Sequence, residues 1–508
     1  MNRGDKPVVV VGAGFGGLAA AVRLRAMGWP VVVVEATNQA GGRASVFQKD
    51  GFTFDAGPTV ITAPYLLDEL FSLVGRDARD YYELVPVDPF YRVIFPEGER
   101  FDYVAEEDRL VAQIQEFEPR DVDGYRKLAA HAHRIFDVGY SKLADQPFDR
   151  LQDMLRVVPD MLRLSSHRSV YSLVASYLRD ERLRQVFTFQ PLLVGGNPFD
   201  TTSIYLLIHW LERKWGVHFP KGGTGAVVRA LVTLLAELDV DVRTDSPVAE
   251  IEVQNGRATA VRLESGERIE AAMVVANADP RFVYGKMIDK AHRRTHTDAS
   301  IARKNPSMSL FVSYFGAKKQ WEGLAHHTIL LGKRYKPLLN DIFHKKVLAD
   351  DFSLYLHAPT VTDQSLAPAG QEAFYVLSPV PNQRSGIDWA REAPRYHDTI
   401  LDALDRTHLP GLRAALTTEP FAVDPRYFET NLRSVDGAGF GIQPTLTQSA
   451  WFRYHNRSED VDGLFFVGAS THPGAGVPGV LCSAKVLEKV VPRPVTAVTV
   501  PATARRVG

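Results

Sequence analysis

Residues 8–35 constrain the fold of this 508-residue chain more than any other stretch. A run of valines leads into Gly12, Gly14 and Gly17, an apolar helical segment follows, and a second valine run ends at Glu35. In a strand, glycine turn, helix and strand of this kind, the glycines allow a tight turn, a close backbone approach to a pyrophosphate and close helix packing. Glu35 is placed to accept hydrogen bonds from ribose hydroxyls. The pattern predicts an α/β dinucleotide-binding domain.

The residues that follow the second strand favour FAD as the dinucleotide. Gly41, Gly42 and Arg43 place a cation beside a glycine turn, where it can meet the same pyrophosphate. This continuation resembles the fingerprint of the amine-oxidase-like flavoproteins. Gly57 and Pro58 end a short aromatic strand, and we expect their turn to bring backbone close to a flat ring.

Composition limits the partners and the compartment. A formal net charge of −1 gives no electrostatic footprint for nucleic acid. The single cysteine, Cys482, excludes an intramolecular disulfide and a multi-cysteine metal site, which fits a reducing cytoplasm. The longest uncharged run, residues 464–484, is interrupted by glycines and prolines, so the sequence predicts no transmembrane segment.

The order of patterns along the chain predicts a discontinuous Rossmann-like FAD-binding domain, an antiparallel-sheet substrate domain and a helical lid. At 508 residues, two or three domains are expected. The predicted FAD-binding parts are residues 1–83, 216–284 and 456–491, and the predicted substrate-domain parts are residues 84–105 and 285–455. The helical lid or membrane-contact region covers 106–215, and a flexible tail covers 492–508.

Two predicted helices in the lid region have patterns that allow either a purely structural or a functional interpretation. Residues 151–164 alternate an apolar face with a charged stripe that includes Asp153 and Arg156. Such a stripe is usually a solvated face, and the functional alternative places Asp153 or Arg156 at a substrate tunnel as catalytic candidates. The apolar stripe of residues 204–215 is usually core, and its alternatives are a tunnel wall or a membrane contact.

A second glycine-rich motif lies at residues 464–480. Leu464 begins an apolar strand that ends at Gly468, and a helix is expected to begin near Pro478. The loop between them would present backbone N–H groups to the ribityl chain and to the flavin carbonyls, where negative charge develops on reduction.

Two histidine pairs raise the question of a metal. Neither His131 with His133 nor His326 with His327 has a third ligand at a recognisable spacing. We therefore predict ordinary surface or core histidines and no metal site.

Together these motifs resemble the bacterial-type phytoene desaturases. The resemblance rests on residues 55–62, 192–199, 351–357, 446–452 and 471–479, which extend over nearly the whole chain. It implies FAD as the redox cofactor, a C40 polyene substrate, successive double-bond insertion, and oxygen or a membrane quinone as the electron acceptor. The FAD contacts that it implies are Gly12, Gly14, Gly17, Glu35, Gly42, Arg43, Gly57, Pro58, Val248, Gly468, Gly476 and Val477. Ala469 stands where many members of the wider superfamily have an acid, so that contact would fall to backbone.

Several alternatives stay open at the level of sequence. A flavin amine oxidase shares the expected fold, and a prenyl-chain escort reuses it without redox chemistry. Within the desaturases, the pattern does not separate three steps to neurosporene from four to lycopene, or a C40 from a C30 or hydroxylated substrate. Because a C40 hydrocarbon resides in the bilayer, the protein is expected to be cytoplasmic and peripheral on the membrane, with the helices of residues 151–164 and 204–215 as candidate contacts.

Overall fold

The two valine runs are neighbouring strands of one parallel sheet. In the computed structural model, which describes residues 6–494, this sheet has five strands, in the order β19 (Leu464–Phe466), β13 (Met273–Ala276), β1 (Val8–Val11), β2 (Val31–Val34) and β9 (Asp241–Arg243). Val8 pairs with Val31 on one side of β1 and with Met273 on the other. Its members come from three distant parts of the chain, so the nucleotide-type sheet is discontinuous, as predicted.

Nineteen strands lie within residues 6–494. Their bounds are β1 (Val8–Val11), β2 (Val31–Val34), β3 (Val46–Lys49), β4 (Phe52–Asp55), β5 (Leu84–Pro86), β6 (Tyr91–Ile94), β7 (Arg100–Tyr103), β8 (His218–Pro220), β9 (Asp241–Arg243), β10 (Val248–Gln254), β11 (Arg257–Leu263), β12 (Arg268–Glu270), β13 (Met273–Ala276), β14 (Ser309–Ala317), β15 (His327–Leu330), β16 (Leu354–His357), β17 (Glu372–Val380), β18 (Phe421–Val423) and β19 (Leu464–Phe466).

The helices concentrate on the faces of the parallel sheet and between residues 107 and 215. Their bounds are α1 (Phe15–Ala26), α2 (Tyr65–Ser72), α3 (Glu107–Phe117), α4 (Val122–Gly139), α5 (Leu151–Arg163), α6 (Val170–Val174), α7 (Glu181–Val186), α8 (Leu207–Trp215), α9 (Thr224–Glu237), α10 (Pro280–Phe282), α11 (Asp298–Ala302), α12 (Tyr335–Asn340), α13 (Trp389–Thr407), α14 (Leu412–Ala415), α15 (Pro425–Thr430) and α16 (Val477–Val490).

A second sheet of seven strands has the order β18-β14-β17-β16-β15-β6-β7. Its neighbours are antiparallel except for β15 and β6, which run parallel. The β6–β7 hairpin comes from the predicted first part of the substrate domain and joins strands of its second part. An antiparallel meander of β10, β11 and β12 lies beside the parallel sheet.

Separate hydrophobic clusters lie on the two sheets. On one face of the parallel sheet, buried side chains of α1, α9 and α16 pack on valines of β1 and β2. On the seven-stranded sheet, residues of β6, β7 and β14 pack with α4, α6 and α7. Burial of these apolar side chains is the main term that holds each layer together.

The predicted fold class is confirmed: an α/β protein with a discontinuous nucleotide-type sheet and a second, largely antiparallel sheet. The exact domain boundaries and the lid function of residues 106–215 stay predictions. Of the predicted tail, residues 495–508 lie outside the described part of the chain.

Candidate active site

One continuous cavity of about 550 Å³ connects the two sheets. At one end it is lined by Gly12, Glu35 and Val248, which belong to the glycine turn, the end of β2 and the start of β10. At the other end it is lined by side chains of the seven-stranded sheet and of α8. All the sequence-predicted cofactor residues line this cavity except Gly17.

Gly17 instead explains why helix α1 can pack so closely on β1. A Cβ atom added at Gly17 would lie 1.9 Å from the carbonyl oxygen of Gly12, a backbone atom that cannot move aside. Gly14, by contrast, is the N-cap of α1 and lines the cavity. Because the first N–H groups of a helix have no partner within it, this end of α1 offers donors to a pyrophosphate.

Glu35 is held in place by backbone donors at the end of β2. Its Oε2 accepts from the N–H of Ala13 at 2.7 Å, and its Oε1 accepts from the N–H and the hydroxyl of Thr37 at 3.0 and 2.9 Å. A carboxylate oxygen has further lone pairs, so the fixed carboxylate can still accept from a ribose hydroxyl.

Arg43 supplies a partly buried cation where the predicted pyrophosphate would lie. Its guanidinium donates to the carbonyl oxygens of Gly439 and Ala438 and to the hydroxyl of Ser434. Desolvation lowers the pKa of Arg43, an effect that the charge of Asp279 partly opposes. Within residues 6–494 no ion pair joins Arg43 to a carboxylate, which fits a site for an anion.

The turn at Gly57 lies directly on the Arg43 backbone. A Cβ at Gly57 would come within 2.3 Å of the Arg43 carbonyl oxygen, so a larger residue does not fit there. Pro58 and Thr59 follow this turn and line the cavity. The expected close approach of this turn to a flat ring stays a prediction.

The second glycine loop lies beside the first, since a Cβ added at Gly16 would lie 3.3 Å from the Cα of Gly468. Gly468 follows β19, and α16 begins at Val477 with Gly476 as its N-cap, as predicted. All three line the cavity together with Ala469. Asn277, at the end of β13, also lines the cavity and donates to the carbonyl oxygen of Gly12, although no sequence motif pointed to it.

Beyond these loops the cavity becomes an apolar chamber. Its aliphatic and aromatic lining includes Phe189, Leu192, Leu193, Ile204, Leu207, Ile208, Leu310, Ile329, Leu331, Leu338, Leu339 and Leu377. The apolar stripe of residues 204–215 therefore faces the chamber, which is the tunnel-wall alternative of the sequence analysis.

Glu212 is the one acid that lines the apolar end, within the described residues, and sequence reasoning missed it. Its Oε1 accepts from the hydroxyl of Tyr91 at 2.7 Å, and Tyr103 and His209 form a neighbouring hydrogen-bonded pair. Burial raises the pKa of Glu212 to about 8. At neutral pH this carboxyl is therefore mainly protonated, and the chamber wall there carries no net negative charge.

Helix α5 forms another part of the chamber wall. Val157 and Met161 line the cavity, whereas Leu151, Leu155 and Leu162 are exposed by 55%, 61% and 63%. The helix thus has one apolar face towards the chamber and further leucines towards solvent.

The catalytic candidates of α5 are not among the residues that line the cavity. Asp153 and Arg156 lie 3.5 Å apart as an ion pair, and the side chain of Arg156 is 76% exposed. This position is that of a solvated charged stripe, and a catalytic role for either residue stays a prediction.

The histidine pairs differ from each other in the structure. His131 is a core residue whose ring nitrogens contact the Tyr177 hydroxyl and the Leu164 carbonyl oxygen. His326 and His327 are also buried, and β16 brings a third histidine, His357, beside them. Because His357 follows His327 by thirty positions, no local spacing could reveal this cluster.

The residues at the nucleotide end fit FAD. A helix N-terminus, a fixed acid and a guanidinium with no carboxylate partner among residues 6–494 match its pyrophosphate and ribose, and the second glycine loop offers backbone to the rest of the molecule. The apolar chamber that opens from this cradle completes the architecture of a flavin-dependent oxidoreductase.

Comparisons with known proteins agree with this class. The family model of flavin containing amine oxidoreductases matches residues 15–485. The chain is 48% identical over 481 residues to a lycopene-forming phytoene desaturase of Pantoea ananas, with 94% of this chain and 98% of that protein covered. It is 42% identical to a neurosporene-forming phytoene desaturase of Rhodobacter capsulatus, covering 95% of this chain and 93% of that protein.

The fold is shared with solved structures at much lower identity. An oxidoreductase from Methanosarcina mazei superimposes with a TM-score of 0.65 at 17% identity, covering 95% of this chain and all of that one. The chain belongs to the phytoene desaturases of the flavin-containing amine oxidoreductase family, and FAD is its cofactor.

Proposed function

We propose that the protein uses FAD to introduce successive double bonds into phytoene, a C40 polyene, and forms neurosporene or lycopene. The observation that carries the proposal is the continuous cavity in which a flavin cradle opens into a chamber lined mainly by aliphatic side chains. A hydrocarbon offers no group for polar side chains to bind, so shape and apolar contact must orient it.

Bound FAD supplies the hydride acceptor for an allylic C–H bond. The chain's own residues bind the cofactor and orient the substrate. Gly14, Glu35 and Arg43 hold the nucleotide end, the turn at Gly57 and the Gly476 loop enclose the next part of the cofactor, and the chamber wall keeps water from the substrate. Each desaturation also releases one proton, which the protein must accept.

The competing functions find less support in this cavity. An amine substrate calls for a polar or charged partner in the chamber, and the acid there, Glu212, is mainly protonated at neutral pH. A prenyl-chain escort has no need of the fixed Glu35 and of the Arg43 cation at the nucleotide end. Product analysis separates the three: phytoene-loaded liposomes should yield neurosporene or lycopene. Turnover of a primary amine, or an FAD-free protein that binds phytoene unchanged, would contradict the proposal.

We also propose that the protein works at the membrane surface and that α5 is the contact. Among residues 6–494, no helix combines the length and the hydropathy that a membrane-spanning segment needs. Leu151, Leu155 and Leu162 are exposed on a helix whose Val157 and Met161 line the chamber. Leucines that enter the lipid interface would place the chamber wall against the phase that holds the substrate.

Phe452 extends this apolar surface beside α5. It is 38% exposed, and its short helical turn contacts α5. A peripheral, cytoplasmic location is consistent with the one free cysteine, Cys482, which is buried. Co-sedimentation with liposomes tests the location, and binding that persists at high salt distinguishes apolar contact from charge attraction.

The electron acceptor is oxygen or a membrane quinone under this proposal. Both suit a protein at a bilayer surface. After one anaerobic turnover, addition of either oxygen or a soluble quinone should restore the flavin colour, and the faster reagent identifies the acceptor class.

A further inference from the structure

The histidine cluster of β15 and β16 connects the cavity to the protein surface. Thr59 and Tyr355 line the cavity and share a hydrogen bond of 2.6 Å between their hydroxyls. The hydroxyl of Tyr355 also lies 2.5 Å from Nδ1 of His327. The hydroxyl of a residue that lines the cavity is therefore bonded directly to a buried imidazole.

The connection continues from His327 towards solvent. His326, His327 and His357 each offer a ring nitrogen within 4.8 Å of the other two. At the far side, Nδ1 of His326 lies 2.6 Å from the hydroxyl of Thr362, which is partly exposed in the turn after β16. A separation of this size can be bridged by one water molecule or closed by ring rotation.

The two ring nitrogens in the middle of this path are unsatisfied. Nε2 of His326 and Nε2 of His327 are buried, and neither makes a hydrogen bond within the described residues. An unpaired buried polar atom costs free energy, so a cluster of them calls for a physical explanation.

We propose that Thr59, Tyr355, His327, His326 and Thr362 form the route by which the proton of each desaturation leaves the apolar chamber. This inference rests on the proposed function. Conversion of –CH2–CH2– to –CH=CH– breaks two C–H bonds: one electron pair leaves with the hydride to FAD, the other becomes the π bond, and the second hydrogen leaves as a proton.

The proton then moves by successive short transfers. Thr59 takes up the proton at its hydroxyl and passes its own to the hydroxyl of Tyr355, which in turn gives its proton to Nδ1 of His327. His327 releases a proton from Nε2 towards Nε2 of His326, and His326 releases one from Nδ1 to Thr362 and to solvent. Each imidazole thus accepts on one nitrogen and donates from the other, as a transfer chain requires.

The protonation states of the buried groups favour this route over Glu212. Burial lowers the pKa of His326 to about 3 and that of His327 well below its ordinary value, so both rings rest neutral and neither retains a proton that reaches it. Glu212 already carries a proton at neutral pH, so it offers no carboxylate to accept another.

A metal ion is the rival explanation of the cluster. The three histidines include no carboxylate, so a divalent cation there would be buried among neutral ligands without a counter-charge. Metal analysis of the purified FAD-loaded protein tests this alternative: a stoichiometric metal that is lost in His357→Asn would overturn the proton route.

The variants Tyr355→Phe and Thr362→Val remove one hydroxyl each at the two ends of the route. Tyr396→Phe is the matched control, because Tyr396 is buried and its hydroxyl bonds to that of Ser378 at 2.7 Å without lining the cavity. FAD content and thermal stability are measured for all three, so that a folding defect is recognised.

The first measurement follows one anaerobic turnover on phytoene in liposomes, with flavin absorbance and a pH indicator recorded together. In the wild type and in Tyr396→Phe, the proton should appear in step with flavin bleaching. Thr362→Val should delay the proton at least tenfold behind bleaching, and Tyr355→Phe should slow both signals at least tenfold. Wild-type timing in both variants would overturn the route.

The second measurement needs no turnover. Exchange of the imidazole C2 hydrogens with deuterium is followed by mass spectrometry in the resting FAD-loaded protein. His209 is the internal reference, because it is equally buried and burial also lowers its pKa to about 3. His326 should exchange at least tenfold faster than His209 and slow in Thr362→Val; equal rates for the two histidines would contradict the route. If phytoene does not bleach the flavin of the wild type, the proposed function is wrong. The exchange rates of His326 and His209 still decide whether the histidine route to solvent exists.

Discussion

The two ends of the cavity are built from different kinds of sequence information. At the nucleotide end, neighbouring residues of the chain form the cradle: Gly12, Gly14 and Gly17 lie within one turn, and Gly42 is followed by Arg43. At the apolar end, the lining comes from α5, α8 and strands of the seven-stranded sheet, which are far apart in sequence. A phosphate site needs fixed backbone geometry, whereas an apolar chamber needs only volume and hydrophobic character.

Because of this difference, we expect a single substitution to cause a large loss of function at the nucleotide end and a smaller one at the apolar end. Gly17→Ala should have the largest effect, because its Cβ would lie 1.9 Å from the Gly12 carbonyl oxygen. We expect loss of more than about 3 kcal/mol of stability together with loss of FAD. Thermal melting and flavin absorbance of the purified protein measure both.

Gly285→Ala is the control for this substitution, because a Cβ at Gly285 would have no heavy atom of the described residues within 4 Å.

Gly14→Val tests the neighbouring glycine. It should abolish FAD retention, since Gly14 lines the cavity where backbone must approach the pyrophosphate. A Gly14→Val protein that stays yellow at wild-type stoichiometry would refute the placement of the pyrophosphate.

The double substitution Leu155→Glu and Leu162→Glu should have the next largest effect, and only at the apolar end. Each exposed leucine is expected to contribute about 1.5 kcal/mol to lipid binding, so the pair should weaken liposome binding about a hundredfold. FAD content should stay unchanged. Co-sedimentation with liposomes measures the loss.

Leu73→Glu serves as the matched change, because Leu73 is also exposed, by 41%, but follows α2 in the nucleotide half. Equal losses of lipid binding in the Leu73 variant and in the double variant would mean that α5 is not the membrane contact.

Glu35→Ala should have an intermediate effect at the nucleotide end. It removes the expected ribose contact and leaves the N–H groups of Ala13 and Thr37 without their acceptor. A hydrogen bond to a charged group contributes roughly 1.5 to 3 kcal/mol, so the Kd for FAD should rise about ten- to a hundredfold. Glu35→Gln, which keeps an acceptor, should lose less. An unchanged Kd for FAD in Glu35→Ala would contradict the predicted contact between Glu35 and the ribose.

The most gradual expected effect is a pH dependence of stability that arises from Glu212. The pKa of Glu212 in the folded state, about 8, lies above the ordinary value of 4.5 for a glutamate carboxyl, so the folded state binds the proton more tightly. This contribution is fully present below about pH 4.5 and is lost as the pH rises through about 8. The slope is at most about 1.4 kcal/mol per pH unit.

Glu212→Gln should remove that slope, because the amide resembles the protonated carboxyl and does not titrate. Urea unfolding at several pH values between 5 and 8 compares the two proteins. A slope that is the same in the variant would show that Glu212 titrates normally in the folded state.

The sequence could predict the fold class and nearly the whole nucleotide end because those features depend on local patterns. The glycine turns, the valine strands and the final strand–loop–helix motif all lie where their residues indicated. Val248, which rested on resemblance, also lines the cavity.

The sequence could not reveal contacts that the second sheet assembles across long intervals. His357 joins His326 and His327 only through the pairing of β15 with β16, and Glu212 meets Tyr91 only when α8 packs on β6. Neither grouping has a spacing that a local pattern could detect. The charged stripe with Asp153 and Arg156 was visible, but which side of α5 faces the chamber depends on packing.

Anaerobic mixing of the FAD-loaded protein with phytoene in liposomes tests most directly whether the two ends form one active site. We predict that phytoene bleaches one flavin per protein and that each bleached flavin corresponds to one new double bond in the recovered polyene. The variant Gly14→Val should neither hold flavin nor alter phytoene. A flavin that keeps its colour with phytoene but is bleached by a primary amine would contradict the account.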